Sequence, residues 1–548
     1  MNPPSHPFLW LSWMAVWVWI AGTAAAEVIS FNGIEFEAAA WGGASLKVAD
    51  GGIEIKPSTG SAEAWGNCLI TLEPGISWSQ VEKVRFSVSG SGVFDVRVRV
   101  RSDESRGYVP SIVFDKYTLD SGTKVVEIPG DLFASRSAEG DPPDAIVIGV
   151  GADLGNSPGK NKFVIRDFEI VGGGLTPPAF RSARTTQEWL DAMQNPTSGL
   201  VRSYDSQWHS FSYDQGVWAI AQCASGRREQ VEKLFHSLQS LQETNGLFRA
   251  GYHWKTGKVV FDQPSPGQMA WIGLGINAYT HKFNDRQFLP FAEKLAGYLM
   301  SQQDTDGGIV GVDGNVPWDR NKDPKMFMLW KSTEETMDTF SFLFHLGEIT
   351  GKSEYAESAR KARRFVESMW DEEQGMFCQG IQKHKGETNF RRDLRFPGDV
   401  QYWVLMSVGP KGYNGQSYTK SLDLVLKKLA MTDGGLKGIS YSQEYARKYP
   451  ECIWWDQTFS LAAAFDSIGA RAQGRAIFED AEKARDSHGA FALTTSGQIE
   501  NPEWPVMPHA SVAATGWYVF AREQINPFHP KSKKEGRPSP FSSKSRID

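Results

Sequence analysis

The residues in this chain whose types and spacing could do chemistry are acidic, and they recur in one setting. Asp214 stands in FSYDQ, Glu334 and Glu335 in KSTEE, Asp399 in PGDVQ and Asp456 in WWDQ, each opening a largely apolar run. Polar neighbours, Tyr213 and Gln215 beside Asp214 and Gln457 beside Asp456, point to a pocket rather than to plain core. Aromatic residues gather just upstream: Trp208, His209 and Phe211 before Asp214, Trp330 before Glu334, Trp454 and Trp455 before Asp456, and Trp504 with His509 before the last apolar run. Several carboxyl groups together can divide acid–base work, one holding a proton while another accepts one. Aromatic faces offer flat apolar surface to a sugar ring. Such a set suits a neutral, hydroxyl-rich ligand. The reaction that needs it is cleavage of a glycosidic bond, with a protonated acid at the leaving oxygen and a carboxylate acting on water or the anomeric carbon.

Acidic residues at helix starts also have structural uses, because they cap amides and complement the helix dipole. Ser332-x-x-Glu335 reads as a capping box, which assigns Glu335 to the helix start. Asp399 follows Pro-Gly and reads first as an N-cap and second as a substrate contact. Glu334 is expected to be the general acid, with Asp214 and Asp456 as candidate bases. Trp208, His209, Tyr213, Gln215, Trp330, Trp455, Gln457, Trp504 and His509 are the expected substrate contacts. HExxH, P-loop and GxSxG patterns are missing from the sequence, so no metal and no cofactor is expected.

The elements that must hold these residues are helices. After residue 180 the apolar spacing becomes helical, and Gly followed by an apolar residue recurs at Gly199, Gly246, Gly308, Gly375, Gly435 and Gly489. Each Gly follows an amphipathic stretch such as RREQVEKLFHSLQSLQ (227–242), which suggests a left-handed C-cap. Each precedes a far more apolar helix, expected near 213–225, 267–283, 333–350, 399–408, 456–468 and 511–523. Helices apolar all round must be enclosed, whereas amphipathic ones can face water. Six of each are solved by a closed (α/α)6 toroid, with the apolar helices inside and their acidic N-termini on one face. An open solenoid is the competing arrangement.

Before residue 174 the pattern differs. Period-2 runs such as VRFSVSGSGVFDVRVRVRS and AIVIGVGA mark short strands. The expected organisation is therefore β followed by α. It comprises a signal peptide (1–26), an antiparallel β-sandwich (27–174), a linker (175–184), the toroid (185–528) and a basic, disordered tail (529–548). The leader FLWLSWMAVWVWIAGTAAA is uncharged and ends in small residues, so export to the periplasm or beyond is expected, with an uncleaved membrane anchor as the alternative. A net charge of −6, from 58 basic and 64 acidic residues, argues against a nucleic-acid partner. Four cysteines with no CxxC pair give no disulfide framework.

Residues 180–528 resemble the six-hairpin glycosidase superfamily and a group of secreted bacterial toroid proteins. The resemblance rests on GLVRSYDSQWHSFSYDQGVWAIA (199–221), on the stretch from WKSTEE to SMWD (330–371), on GDVQYWVL (398–405) and on SVAATGWYVFAREQINPF (511–528). It implies a carbohydrate substrate and matches Asp214 and Glu334 to relatives with YDQ and Ser-Thr-Glu, which implies Asp214 ahead of Asp456 as the base. Those relatives carry His-Asn where this chain has Glu335-Thr336, and Glu where it has Asp456. The first segment resembles jelly-roll carbohydrate-binding modules. Two other functions compete with hydrolysis. A polysaccharide lyase would use the cationic loop with His384, Lys385, Arg391, Arg392 and Arg395 on an acidic sugar. A surface glycan-binding protein would use the same face without turnover.

Overall fold

The computed structural model describes residues 27–31, 34–42, 44–49, 52–57, 66–71, 81–100, 111–130, 143–151, 154–157, 160–172, 183–205, 209–311, 328–384, 387–496, 506 and 508–530. The leader, Trp208, Trp504 and the tail from 531 lie outside them. The chain divides into two units, residues 1–181 and 182–548.

The first unit is built on one long strand. Val81–Val100 runs for twenty residues and belongs to two antiparallel layers. Its first half pairs with Thr123–Pro129 and Lys162–Gly172, and the layer continues through Gly52–Pro57 to Ala44–Ala49. Its second half pairs with Ser111–Leu119 and Pro143–Gly149, and that layer continues through Gly66–Thr71 and Ile34–Gly42 to Glu27–Phe31. The strand changes layer at Gly90 and Gly92, whose φ values of 143° and 119° suit only glycine. Alternate residues, Val84, Phe86 and Val88 then Phe94, Val96 and Val98, enter one shared core with Ile53, Ile70, Ile146 and Ile165.

The second unit is helical. Six helices are buried nearly all round: Ser212–Ala224, Pro266–Phe283, Thr333–Thr350, Gly398–Ser407, Trp455–Ser467 and Val512–Glu523. Each lies within one residue of its expected span. Between them run helices buried on one face only, Arg228–Leu241, Leu289–Ser301, Ser353–Ser368, Lys420–Leu429 and Arg471–Ala481. The short helix Thr186–Ala192 precedes them all, started by a true capping box between Thr185 and Glu188.

The six buried helices pack in sequence, Ser212 on Pro266, Pro266 on Thr333, Thr333 on Gly398, Gly398 on Trp455 and Trp455 on Val512. The Val512 helix then packs against the Ser212 helix. Residues some 300 apart join there: Trp517 Nε1 donates to the Tyr213 hydroxyl at 2.7 Å and Val512 N to Ser203 O at 2.9 Å. Nearby, Thr186 Oγ1 donates to Gly489 O at 2.6 Å.

The recurring glycines do not cap helices. The Arg228 helix ends at Leu241 with an extended cap at Gln242, and Gly246 lies beyond it, in a turn. Gly199, Gly246, Gly307, Gly375, Gly435 and Gly489 all have positive φ, so the third is Gly307 and not Gly308. A Cβ at Gly246 would lie 2.2 Å from Lys294 O, at Gly307 2.1 Å from Lys361 O, and at Gly489 2.4 Å from Thr186 N. These turns press against the backbone of the following outer helix, and the last presses against the first.

One layer inside the buried helices is aromatic. Trp271, Trp403 and Trp517 are each the sixth residue of their helix, and they lie 5.4–5.7 Å apart between ring centres. The segment after the Val512 helix adds Phe528, fully buried at 5.3 Å from Trp271 and 5.7 Å from Trp403. Asn526 Nδ2 donates to Met406 O at 2.8 Å, and His529 bridges Ser407 O and His345 at 2.7 and 2.9 Å.

Candidate active site

The first turns of the buried helices meet. Asp214 accepts from the Ser203 hydroxyl and from the backbone N–H of Ala513, which starts the Val512 helix. A Cβ at Gly267, in the first turn of the Pro266 helix, would stand 3.0 Å from Glu335 Cγ and 3.1 Å from Asp338 Oδ2. Tyr402, on the Gly398 helix, senses the charges of Asp399, Asp456 and Glu334 together. Six carboxyl groups from four helices therefore share one region.

They differ in depth. Glu334 is half-buried, whereas Asp214, Glu335, Asp399 and Asp456 are buried and Asp338 is 1% exposed. Among the described residues, Asp214, Asp338, Asp399 and Asp456 have no Lys or Arg partner. Burial is accordingly the largest influence on each, because it penalises the charged form. It pushes Asp214 up to about 7, with help from Asp456 and against the bonds from Ser203 and Ala513. It pushes Asp399 up to about 7 against the Val400 N–H bond, with Asp456 adding to the rise. Asp456 reaches only about 6, since Gln457 donates to it from backbone and side chain. Asp338 lies well above the carboxylate range, raised by burial, then by Glu335 and Asp399; the Trp271 N–H turned toward it offsets little.

Two sequence expectations change here. Ser332 Oγ does accept the Glu335 N–H at 3.2 Å, but the Glu335 carboxyl turns away to accept from Ser265 Oγ at 3.1 Å. The capping box is half made, and Glu335 joins the cluster. The N-cap of the Gly398 helix is Pro397, so Asp399 is freed from capping and its Oδ1 accepts only the adjacent Val400 N–H, at 2.7 Å. Asp338, one turn beyond Glu334 and Glu335, was not singled out by sequence. It stands inside the helix run MDTF rather than at a helix start, and only the three- and four-residue spacing from the two Glu could have found it.

The expected contacts sort by what they touch. Gln215 is fully buried and spent on Val201 N, Val201 O and Phe211 O, which fixes the loop ahead of Asp214. Gln457 joins Asp456 to the Tyr402 hydroxyl. Trp455 is 2% exposed and packs on Phe459, inside the helix layer. Tyr213 packs edge-on against Trp271 at 5.1 Å and faces Asp456 and Asp214. His209 packs edge-on against Phe261 at 5.1 Å, and burial lowers it to about 4, so it is a neutral ring near pH 7. Trp330 and Glu335 flank Gly311, where a Cβ would come within 2.8 and 2.7 Å of them. His509 is half-buried and its backbone holds Leu493. Tyr204, Phe211, Trp454 and Val506 make one apolar cluster with Tyr213, Tyr441 and Tyr445 around them.

The cationic loop is engaged locally. Arg391 pairs with Glu387, Arg392 donates to Ser368 O and Trp370 O, and Arg395 pairs with Asp393. The His384 side chain and Lys385 lie outside the described residues. All four cysteines are separate buried thiols. No group of three or more His, Cys, Asp or Glu among the described residues could hold a metal ion, and no described helix is long and apolar enough to cross a membrane.

No family model and no curated protein matches the chain. Among solved structures it is similar to a glycosidase variant in complex with glucose, at 10% identity over 65% of this chain and 100% of that one, with a TM-score of 0.48. It is also similar to a GH78 family rhamnosidase of Bacillus sp. GL1, at 12% identity over 88% of this chain and 47% of that one, with a TM-score of 0.44. A third is a bacterial glucoamylase complexed with acarbose, at 10% identity over 92% and 86% of the two chains, with a TM-score of 0.48.

Proposed function

We propose that the helical unit is an (α/α)6 toroid that hydrolyses glycosidic bonds of a neutral poly- or oligosaccharide, in a chain exported by its leader. The observation that carries this is the meeting of six carboxyl groups from four helices without a basic partner for the four aspartates. Buried acids so placed cannot all ionise, so near pH 7 some hold protons while others are charged. That is the division of states glycoside hydrolysis requires.

Depth assigns the roles. Glu334 is nearest to solvent, where a leaving group must depart, so it is the general acid. Asp456, raised least of the buried aspartates, and Asp214 are the candidate bases. An acidic sugar would meet four buried aspartates that have no Lys or Arg partner among the described residues, which disfavours the lyase reading.

The test is digestion of a panel of neutral glycans with product analysis, for wild type and Glu334→Gln. The variant keeps shape and loses the proton supply, so turnover should fall roughly 10²–10⁴-fold. Substrates with good leaving groups should lose less. Unchanged turnover in the variant, or release of unsaturated products from uronate polymers, would sink the assignment.

A further inference from the structure

Beneath the first-turn carboxyl groups lies a second layer made of sixth residues, Trp271, Asp338, Trp403 and Trp517. Its polar atoms are unevenly used. The Trp517 N–H donates to Tyr213. The Trp403 N–H and both Asp338 oxygens are buried and have no hydrogen-bond partner among the described residues, and the equally buried Trp271 N–H turns toward Asp338 without closing a bond. These side chains are 3%, 1% and 1% exposed. Buried polar atoms are nearly always satisfied, and four orphaned atoms in one layer point to a ligand that completes them. Phe528 packs on Trp271 and Trp403, and Trp403 stacks on Trp517, so the layer is closed by aromatic rings.

We infer that Asp338, Trp271 and Trp403 form the floor of a subsite that takes the hydroxyl edge of a neutral sugar, entering end-on. The chemistry follows from what each group can exchange. An indole N–H only donates, whereas a protonated carboxyl both donates and accepts. A hydroxyl also does both, so neighbouring sugar hydroxyls can close all these bonds at once. A carboxylate on the ligand would add a further charge to a buried cluster whose acids are already raised by burial and by one another. The inference rests on the hydrolase reading only for choosing a sugar among polyols.

The test measures binding, apart from turnover. Full-length protein is titrated calorimetrically with methyl glycosides of neutral hexoses, deoxyhexoses and pentoses, and with methyl glucuronide. Wild type should bind at least one neutral glycoside and not the glucuronide. Trp271→Phe keeps a ring in the floor and deletes one donor, which should weaken binding about five- to tenfold. Asp338→Ala should weaken it at least as much, and Asp338→Asn, which keeps a donor and an acceptor, should restore it to within a few-fold. Circular dichroism confirms that each variant is folded, and Trp271→Phe stands alone as a test if a change at Asp338 unfolds the chain. Binding of no neutral glycoside, preference for the glucuronide, or wild-type affinity in both Trp271→Phe and Asp338→Ala would overturn the inference. Intact binding without turnover would instead defeat the hydrolase reading and leave the floor standing.

Discussion

Asp214, Asp399 and Asp456 are buried beside one another, and this inverts the usual relation between pH and stability. Their ordinary value is 3.8, and in the folded chain they reach about 7, 7 and 6. Between those limits the folded state binds more protons than the unfolded one, so stability must fall as pH rises. The contribution is fully present below about 4 and is lost as pH climbs through 6 to 7. Melting temperature should therefore increase from pH 8 to pH 5, and Asp399→Asn should flatten that slope. A melting temperature that drops steadily over the same interval would contradict the burial of these groups as acids. At this scale the sequence was readable where an acid stood in a first turn beside a polar residue, as Asp214 and Asp456 do. Asp338 was hidden in the apolar run of its helix, and Glu335 looked like a cap. The direction a side chain takes depends on how the helix is rotated against its neighbours, which a single helix does not state.

Helix against helix, the Ser212 helix approaches the backbone of the Pro266 helix closely. A Cβ on Gly216 would sit 2.3 Å from the carbonyl oxygen of Trp271, and backbone cannot step aside as a side-chain tip can. Gly216→Ala should force the two helices apart and cost roughly 1–3 kcal/mol, by analogy with overpacked cores. It should also disturb Asp214 and Trp271, which those helices carry. Chemical denaturation checks the first expectation, and an unchanged midpoint would contradict it. The buried helices were legible because enclosure on every side leaves no polar stripe, a pattern visible without knowing the partners. The turn glycines were legible as positions but not as causes. Their left-handed φ looked like helix capping, while their role is to let a turn touch the next outer helix at Lys294 or Lys361. The short strand Met328–Ser332, paired with Gly380–His384 and leading straight into Glu334, had no usable period at all.

Taken over its whole length, the helical unit brings its last described buried helix against its first. Tyr213 and Trp517, 304 residues apart, bond there, whereas Asn277 and Phe342 join adjacent helices across only 65. The extra chain entropy of the longer closure is about 1.4 kcal/mol, since the cost grows with the logarithm of loop length. That is too little to decide stability and enough to decide order. A chain ending at Ala510 should be a crescent with two uncovered edges: it should bind a hydrophobic dye and melt without cooperativity. A sharp melt within a few degrees of the full chain's would show that the seam adds little. As the chain leaves the ribosome, five hairpins are complete before the sixth helix exists. Until it arrives, Val217 and Tyr213 wait at one edge, and the Trp455 helix at the other. The nascent protein thus passes through an interval in which its earliest and its newest buried helices both stand uncovered. The stretch that carries the Val512 helix both ends that exposure and delivers Ala513 to Asp214.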